Sequence, residues 1–141
     1  AVQPNIRLRA GEAAMAICYE IAYPESMRRR ASAAAVLMTL SNDTWFGTSI
    51  GPLQHMQIAR MRAAENGRWL LRATNNGVTG IVDHRGRLVA QLPQFSEGVL
   101  RGSMQVMQGR TPYSVAGHWP VLVAVAGILL WWFRVRRRPG P

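Results

Sequence analysis

Short apolar runs alternate with more polar stretches over the first 110 residues, and this pattern predicts alternating strands and helices. Residues 13–17 and 35–40 have the length of strands, and the second run is apolar throughout, as expected for a strand that is buried on both faces. Residues 24–34 predict a helix, because Pro24 suits a first turn and Glu25 lies near the positive end of the helix dipole. The chain therefore opens with a predicted strand–helix–strand unit.

The longest helical stretch is residues 51–70. Its larger apolar side chains recur near a spacing of 3.6 residues and predict the buried face of this helix: Leu53, Met56, Ile58, Met61 and Ala64. Arg60, Arg62 and Glu65 then lie on the other side. Arg62 and Glu65 are three residues apart, so we expect them to form a structural ion pair.

A third strand is predicted at residues 70–74, where Asn75-Asn76-Gly77 supplies turn chemistry that ends it. Residues 78–82 and 87–92 flank a polar turn and predict a hairpin. Strands and helices in this order predict an α/β layered fold.

Polar residues follow each of the three buried strands, at Cys18, Asn42-Asp43 and Asn75-Asn76. Functional groups of layered α/β folds collect at the carboxyl ends of strands, so we expect a site where these ends meet. The asparagines and Asp43 are more typical of turn and cap residues than of catalytic ones. Cys18 is therefore the best candidate for chemistry.

Cys18 is the only cysteine in the sequence, so it is either a small buried hydrophobe or a reactive thiol. A nucleophilic thiol needs a base and a donor for the oxyanion. Glu20 is close in sequence, which does not by itself bring its carboxylate to the sulfur. His55, His84 and His118 are far apart, so a Cys–His pair requires long-range folding and no metal-ligand spacing is present. No metal or cofactor is expected.

Composition adds a strong positive charge: all 17 basic residues are arginine, and the net charge is +10. The absence of lysine excludes a catalytic lysine within these residues. The arginines are scattered outside two clusters, and neither an RNA-recognition signature nor zinc-finger spacing is present. We therefore expect no nucleic-acid partner.

Residues 115–133 are almost entirely apolar and, as a helix, would rise roughly 28 Å, close to the thickness of a bilayer core. Trp119 and Trp131-Trp132 suit the two membrane interfaces, and the arginines that follow would hold the C-terminus in the cytoplasm. A buried core helix is the alternative. The expected organisation is a soluble part at 1–110, a linker at 111–114, a transmembrane helix at 115–133 and a basic cytoplasmic tail at 134–141.

Several motifs occur in a fixed order: AICYEIAYPESMR, LSNDTWFG, IGPLQHMQIARMRAAENGRWLLRATNNGVTGIVD and GRTPY ahead of the last apolar segment. Together they closely resemble the C-terminal portion of the apolipoprotein N-acyltransferase family, within the carbon–nitrogen hydrolase (nitrilase) superfamily. The resemblance covers nearly the whole chain from about Ala13 onward.

The resemblance implies a partial nitrilase-like α-β-β-α sandwich followed by one C-terminal transmembrane helix. It implies an inner-membrane enzyme, monomeric when intact, with its nitrilase-like part on the periplasmic face. In the reaction, an acyl chain passes from a phospholipid to a cysteine thioester and then to the N-terminal amine of a diacylated lipoprotein. By the same resemblance, Cys18 is the nucleophile, Tyr19 and Glu20 support its turn, and Trp45 and Phe46 form an aromatic loop that contacts substrate.

The family also uses a glutamate base and a lysine upstream of the cysteine strand, and neither is found here. The chain also starts without methionine, so we expect a piece of a longer protein that is inert by itself. Two other hypotheses are a non-catalytic, membrane-anchored remnant of the fold and a nitrilase-type amidase acting on soluble amides.

Overall fold

The computed structural model describes residues 4–9 and 11–137. Its strands are β1 (Ile6–Leu8), β2 (Gly11–Ile17), β3 (Val36–Ser41), β4 (Trp69–Thr74), β5 (Gly80–Val82) and β6 (Leu88–Gln91). Its α-helices are α1 (Pro24–Ala31), α2 (Gly51–Asn66), α3 (Pro112–Ala116) and α4 (Trp119–Arg136), and 3₁₀ turns lie at Cys18–Ala22 and Thr44–Phe46. The mixed α/β fold is the one predicted from sequence.

The described strands form a single sheet in the order β1-β2-β3-β4-β5-β6. The central strands β2, β3 and β4 are parallel, whereas the other pairings are antiparallel. Ile17 pairs with Leu40, and Ser41 pairs with Thr74, so the three central strands end at nearly the same level. Their carboxyl ends consequently share one edge of the sheet.

One face of the sheet, which we call the closed face, packs against α1 and α2. Its side chains are buried and join the helices in one hydrophobic core, which includes Ala14, Ala16, Leu37, Leu70, Val82, Met27, Ala59 and Ala63. Alanine is the commonest residue of this core, and small side chains allow the helices to lie close to the strands.

The opposite side of the same strands is the open face, formed by Met15, Ile17, Met38, Leu40, Leu71 and Ala73, which alternate along the chain with closed-face residues. Ile17 is 53% exposed and Leu40 is 45% exposed. Residues 98–102 cross part of this face and leave a cavity of about 520 Å³ between themselves and the strands. No helix covers the open face within the described residues.

The buried face of α2 differs from the predicted one. Leu53 and Met61 are exposed, whereas the buried positions are Pro52, His55, Met56, Ala59, Arg62, Ala63 and Asn66. The helix also ends at Asn66, because Gly67 adopts a left-handed conformation (φ 61°) that caps it and lets β4 begin at Trp69. The expected Arg62–Glu65 pair is present, at 3.1 Å, although Arg62 is buried.

The C-terminal helix starts later than predicted. Residues 115–116 belong to α3, which Thr111 caps by accepting a hydrogen bond from the Ser114 N–H, so the predicted linker is itself structured. Gly117 separates the two helices with φ 60° and ψ −139°, a conformation that side chains disfavour. The tail prediction is also shifted, because Arg134 and Arg136 lie in the last turn of α4, and residues 138–141 lie outside the described residues.

α4 has 18 residues, a mean hydropathy of 1.4 and no buried side chains. Within the described residues it is the one helix that is long and apolar enough to cross a membrane. Trp119 begins it, and near its end the Arg136 guanidinium lies 4.3 Å above the Trp132 ring. Tryptophan at both ends and arginine at one end are typical of a membrane-spanning helix.

Candidate active site

The carboxyl ends of β2, β3 and β4 surround an open cleft of about 470 Å³. Its walls include Ile17, Cys18, Leu40, Ser41, Asn42, Trp45, Ala73, Thr74 and Asn75. The predicted meeting of the three strand ends is therefore present in the fold. The cleft is apolar on the strand side and polar at the turns.

Cys18 occupies a left-handed backbone conformation, with φ 51°, directly after β2. Such a conformation is uncommon for a side chain larger than glycine and is often found at functional sites. The turn is held by Glu20, whose Oε2 accepts a hydrogen bond from the Ile17 N–H at 2.9 Å. Arg30 approaches the same carboxylate oxygen to 3.7 Å. Glu20 thus supports the turn that presents the thiol.

The aromatic residues predicted for the site have different surroundings. Tyr19 is exposed and packs edge-on against Tyr23, with ring centroids 5.9 Å apart. Trp45 is 82% exposed and lines the cleft beside Cys18. Phe46 is 38% exposed, and its ring centroid lies 6.3 Å from that of His55. Trp45 therefore offers an apolar surface to the cleft, whereas Phe46 is not among the residues that line it.

Asp43 is the N-cap residue of the 3₁₀ turn at Thr44–Phe46, as predicted, but its side chain makes no capping hydrogen bond. That side chain is fully buried, and its carboxylate accepts hydrogen bonds from Ser41 Oγ (2.6 Å) and Arg72 Nη2 (2.8 Å) and lies 2.9 Å from His55 Nδ1. The side-chain hydrogen bond to the turn comes from Asn42, whose Oδ1 accepts the Thr44 N–H. Asp43 is the centre of a buried polar network.

That network reaches the turn of the candidate nucleophile through His55. The ring Nε2 lies 3.2 Å from the carbonyl oxygen of Cys18, although the two residues are 37 positions apart in sequence. Long-range folding, which the sequence required for any contact between Cys18 and a histidine, brings His55 of α2 to this turn. The hydrogen-bond partner of the ring there is the Cys18 backbone carbonyl.

Electrostatics favour a charged carboxylate in this network. Burial opposes ionisation of Asp43, but the hydrogen bond from Ser41 and the charges of Arg72 and His55 outweigh it, so the pKa of Asp43 lies below its usual value. Burial lowers the pKa of the Arg72 guanidinium, and the charges of Asp43 and Cys18 act in the opposite direction. Gly77 lies directly against the Asp43 side chain and leaves no room for a larger residue, because a Cβ there would lie 2.8 Å from Asp43 Cγ.

Sequence reasoning missed His55, Asp43 and Arg72 as a group. A signal did exist, because His55 lies three residues after Pro52 and four before Ala59, which places it on the side of α2 that faces the sheet. Among the described residues, no cluster of three or more His, Cys, Asp or Glu side chains is arranged to hold a metal ion. The group that this site offers for chemistry is therefore the Cys18 thiol, on a turn that Glu20 and His55 hold by hydrogen bonds.

Comparison with curated proteins gives close relatives with one name. The chain is 55% identical over 139 residues to an apolipoprotein N-acyltransferase of Pseudomonas aeruginosa, covering 99% of this chain and 27% of that protein. It is 51% identical over 138 residues to an apolipoprotein N-acyltransferase of Vibrio vulnificus, covering 96% of this chain and 27% of the relative. The chain thus spans about a quarter of the length of these relatives.

Solved structures share the fold. A carbon-nitrogen hydrolase from Helicobacter pylori superposes with a TM-score of 0.63 at 20% identity, covering 85% of this chain and 48% of that one. Saccharomyces cerevisiae Nit3, a member of branch 10 of the nitrilase superfamily, gives a TM-score of 0.56 at 25% identity, covering 66% and 37%. The family model for carbon-nitrogen hydrolases matches residues 2–112, which is most of the chain. This chain therefore belongs to the carbon-nitrogen hydrolase family.

Proposed function

We propose that these residues form the nucleophile-bearing, C-terminal part of an apolipoprotein N-acyltransferase. The observation that carries the proposal is Cys18, which is presented on a left-handed turn at the edge of an apolar cleft, in a chain whose relatives of that name are 50–55% identical. The coverage of about 27% of those relatives supports a longer intact protein.

In the first half-reaction, the Cys18 sulfur attacks the ester carbonyl of a phospholipid. The carbon–oxygen ester bond breaks, a thioester forms, and the proton from the thiol leaves with the lysophospholipid alcohol. In the second, the N-terminal amine of a diacylated lipoprotein attacks the thioester carbonyl. An amide forms, and the amine proton returns to the sulfur, so the thiol is regenerated. By resemblance to the family, a glutamate and a lysine upstream of the cysteine strand would serve as the base and the cation of this reaction, and the present residues include no lysine.

Glu20 and Tyr19 serve the turn in this proposal. Glu20 fixes the end of β2 through the Ile17 N–H, and its contact with Arg30 ties the turn to α1. Tyr19 and Tyr23 form an exposed aromatic pair beside the thiol. Loss of the Glu20 carboxylate would remove the acceptor of the Ile17 N–H, so the position of the Cys18 thiol would be less well fixed.

Trp45, Ile17 and Leu40 supply the apolar walls on which acyl chains would lie, and Phe46 lies next to Trp45 in the same loop, with its ring near His55. α4 anchors the protein in the bacterial inner membrane. The arginines at its end favour a cytoplasmic C-terminus and hence a site on the periplasmic face. The intact enzyme is expected to act as a monomer on phospholipid and lipoprotein, without nucleic acid.

Acyl-adduct mass spectrometry tests the proposal. The full-length protein that contains these residues is incubated with phospholipid vesicles, and the Cys18 peptide should gain the mass of one acyl chain. Adding a diacylated lipopeptide should remove that adduct and acylate the peptide amine. The matched variant Cys18→Ala should show neither event. Absence of the adduct on the native protein, or hydrolysis of a soluble amide in its place, would overturn the proposal.

A further inference from the structure

We propose that His55 is a positioning residue for the nucleophilic turn, because its two ring nitrogens connect the Cys18 carbonyl oxygen to the Asp43 carboxylate. The inference deepens the proposed function, and its catalytic meaning rests on it. Two contacts carry it: Nε2 lies 3.2 Å from Cys18 O, and Nδ1 lies 2.9 Å from Asp43 Oδ1.

The two contacts join parts of the chain that are far apart in sequence. Cys18 follows β2, Asp43 follows β3, and His55 lies on α2. One buried side chain therefore connects the ends of two neighbouring strands through its two ring nitrogens.

The His55 ring is held in a buried polar network. Asp43 contacts His55 through Oδ1 and Arg72 through Oδ2. His55 is 4% exposed and Asp43 is fully buried, which removes the screening that water would provide. Asp43 and Arg72 form a buried ion pair, and within the described residues Nε and Nη1 of Arg72 have no hydrogen-bond partner.

The contact matters because of the backbone that it holds. Cys18 has φ 51°, which a non-glycine residue adopts only when its surroundings enforce it. Glu20 fixes the N-terminal side of the turn through the Ile17 N–H, and His55 fixes the C-terminal side through the Cys18 carbonyl. His55 is not a base for the thiol, because both ring nitrogens are already occupied.

Paired amide variants separate the two contacts. In the full-length protein, His55→Gln places an amide nitrogen near the position of Nε2 and can still donate to the Cys18 carbonyl. His55→Asn places its amide near Nδ1, so it keeps Asp43 and loses Cys18. The readouts are the acylation rate from phospholipid vesicles and the rate at which iodoacetamide alkylates the Cys18 peptide, each divided by the folded fraction.

We expect His55→Asn to slow acylation by about 10- to 100-fold with little change in KM, as small misplacements of reacting groups do. His55→Gln should stay within about threefold of the native rate, and alkylation should follow the same order. His84→Gln and His84→Asn, in the turn between β5 and β6, are matched controls and should leave both rates unchanged.

Three results overturn the inference: equal rates for the two His55 variants, a native rate for His55→Asn, or losses that vanish once folded protein is counted. Failure of the proposed function looks different, since the native protein itself would then form no acyl adduct. The alkylation series would still rank the variants in that case.

Discussion

The two faces of the sheet are built from the same strands but differ in how completely their side chains are buried. On the closed face, even the polar side chains Asp43, Arg72 and His55 are buried and joined to one another. On the open face, Ile17 and Leu40 are apolar yet about half exposed. Successive residues on one strand therefore meet opposite conditions.

This difference indicates what each face requires. The closed face is covered by α1 and α2, which belong to the same chain. The open face presents the kind of apolar surface that a sheet buries against another layer. That second layer is what the α-β-β-α architecture of the family supplies, so the described residues correspond to one half of a sandwich. The cleft at Cys18 lies at the edge of the open face.

The largest effect is expected from breaking the buried pair on the closed face. Arg72→Met leaves the Asp43 carboxylate buried without its guanidinium partner, and removal of one partner of a buried pair costs about 3–5 kcal/mol. Urea unfolding of the purified full-length protein measures the change. Arg29→Met is the matched control, because its pair with Glu25 is exposed and should contribute less than about 1 kcal/mol. Equal losses for the two variants would contradict the description of the network.

A neighbouring pair of leucines compares the faces directly. Leu70 lies on the closed face and is fully buried, whereas Leu71 lies on the open face. In the full-length protein, each substitution by alanine should lower the free energy of unfolding by about 2–5 kcal/mol, because a second layer covers Leu71 there. If Leu71→Ala costs well under 1 kcal/mol while Leu70→Ala is severe, the open face is exposed in the intact protein as well.

Much of the fold could be predicted because its signals are local. The apolar runs of β2 and β3 and the turn at Asn75-Asn76-Gly77 each lie within a few residues. The helix α2 was harder, since Ala59 and Ala63 on its buried face carry a weak apolar signal, while the exposed Leu53 and Met61 carry a strong one. The large apolar side chains therefore indicated the wrong face of α2 as the buried one.

The polar network could not be predicted for a different reason. Asp43 and Arg72 are 29 residues apart, and His55 and Cys18 are 37 apart, so their contacts exist only once the strands are paired. A lone aspartate after a strand is usually a turn residue, and only its burial identifies it as a partner for Arg72 and His55. The sequence and its resemblance to the family predict Cys18 and Glu20 as site residues, but the contacts of the turn with His55 and Arg30 required the structure.

The smallest effect concerns a half-buried junction between α1 and α3, outside both faces. Hydrogen bonds from Arg28, and then from Arg29, lower the pKa of Glu25 to about 2, while Arg28 also donates to the carbonyl of Ser114 in α3. A carboxyl group whose pKa is depressed on folding stabilises the protein above its ordinary pKa, and this contribution is lost as the pH falls through the folded value. The native protein should therefore be slightly more stable than Glu25→Gln at pH 7, by at most about 2 °C in Tm.

The difference should shrink between pH 4.5 and 2, because protonation makes the native side chain resemble the variant. Thermal melts of the two proteins at several pH values measure it, and Glu97→Gln provides a control at an exposed carboxylate. A difference between native and Glu25→Gln that persists unchanged at pH 2 would mean that packing of the side chain, rather than its charge, connects α1 to α3. Burial would then stabilise this junction as it stabilises the closed face. The Arg28–Glu25 pair would differ less from the buried Arg72–Asp43 pair than the comparison of the two regions predicts.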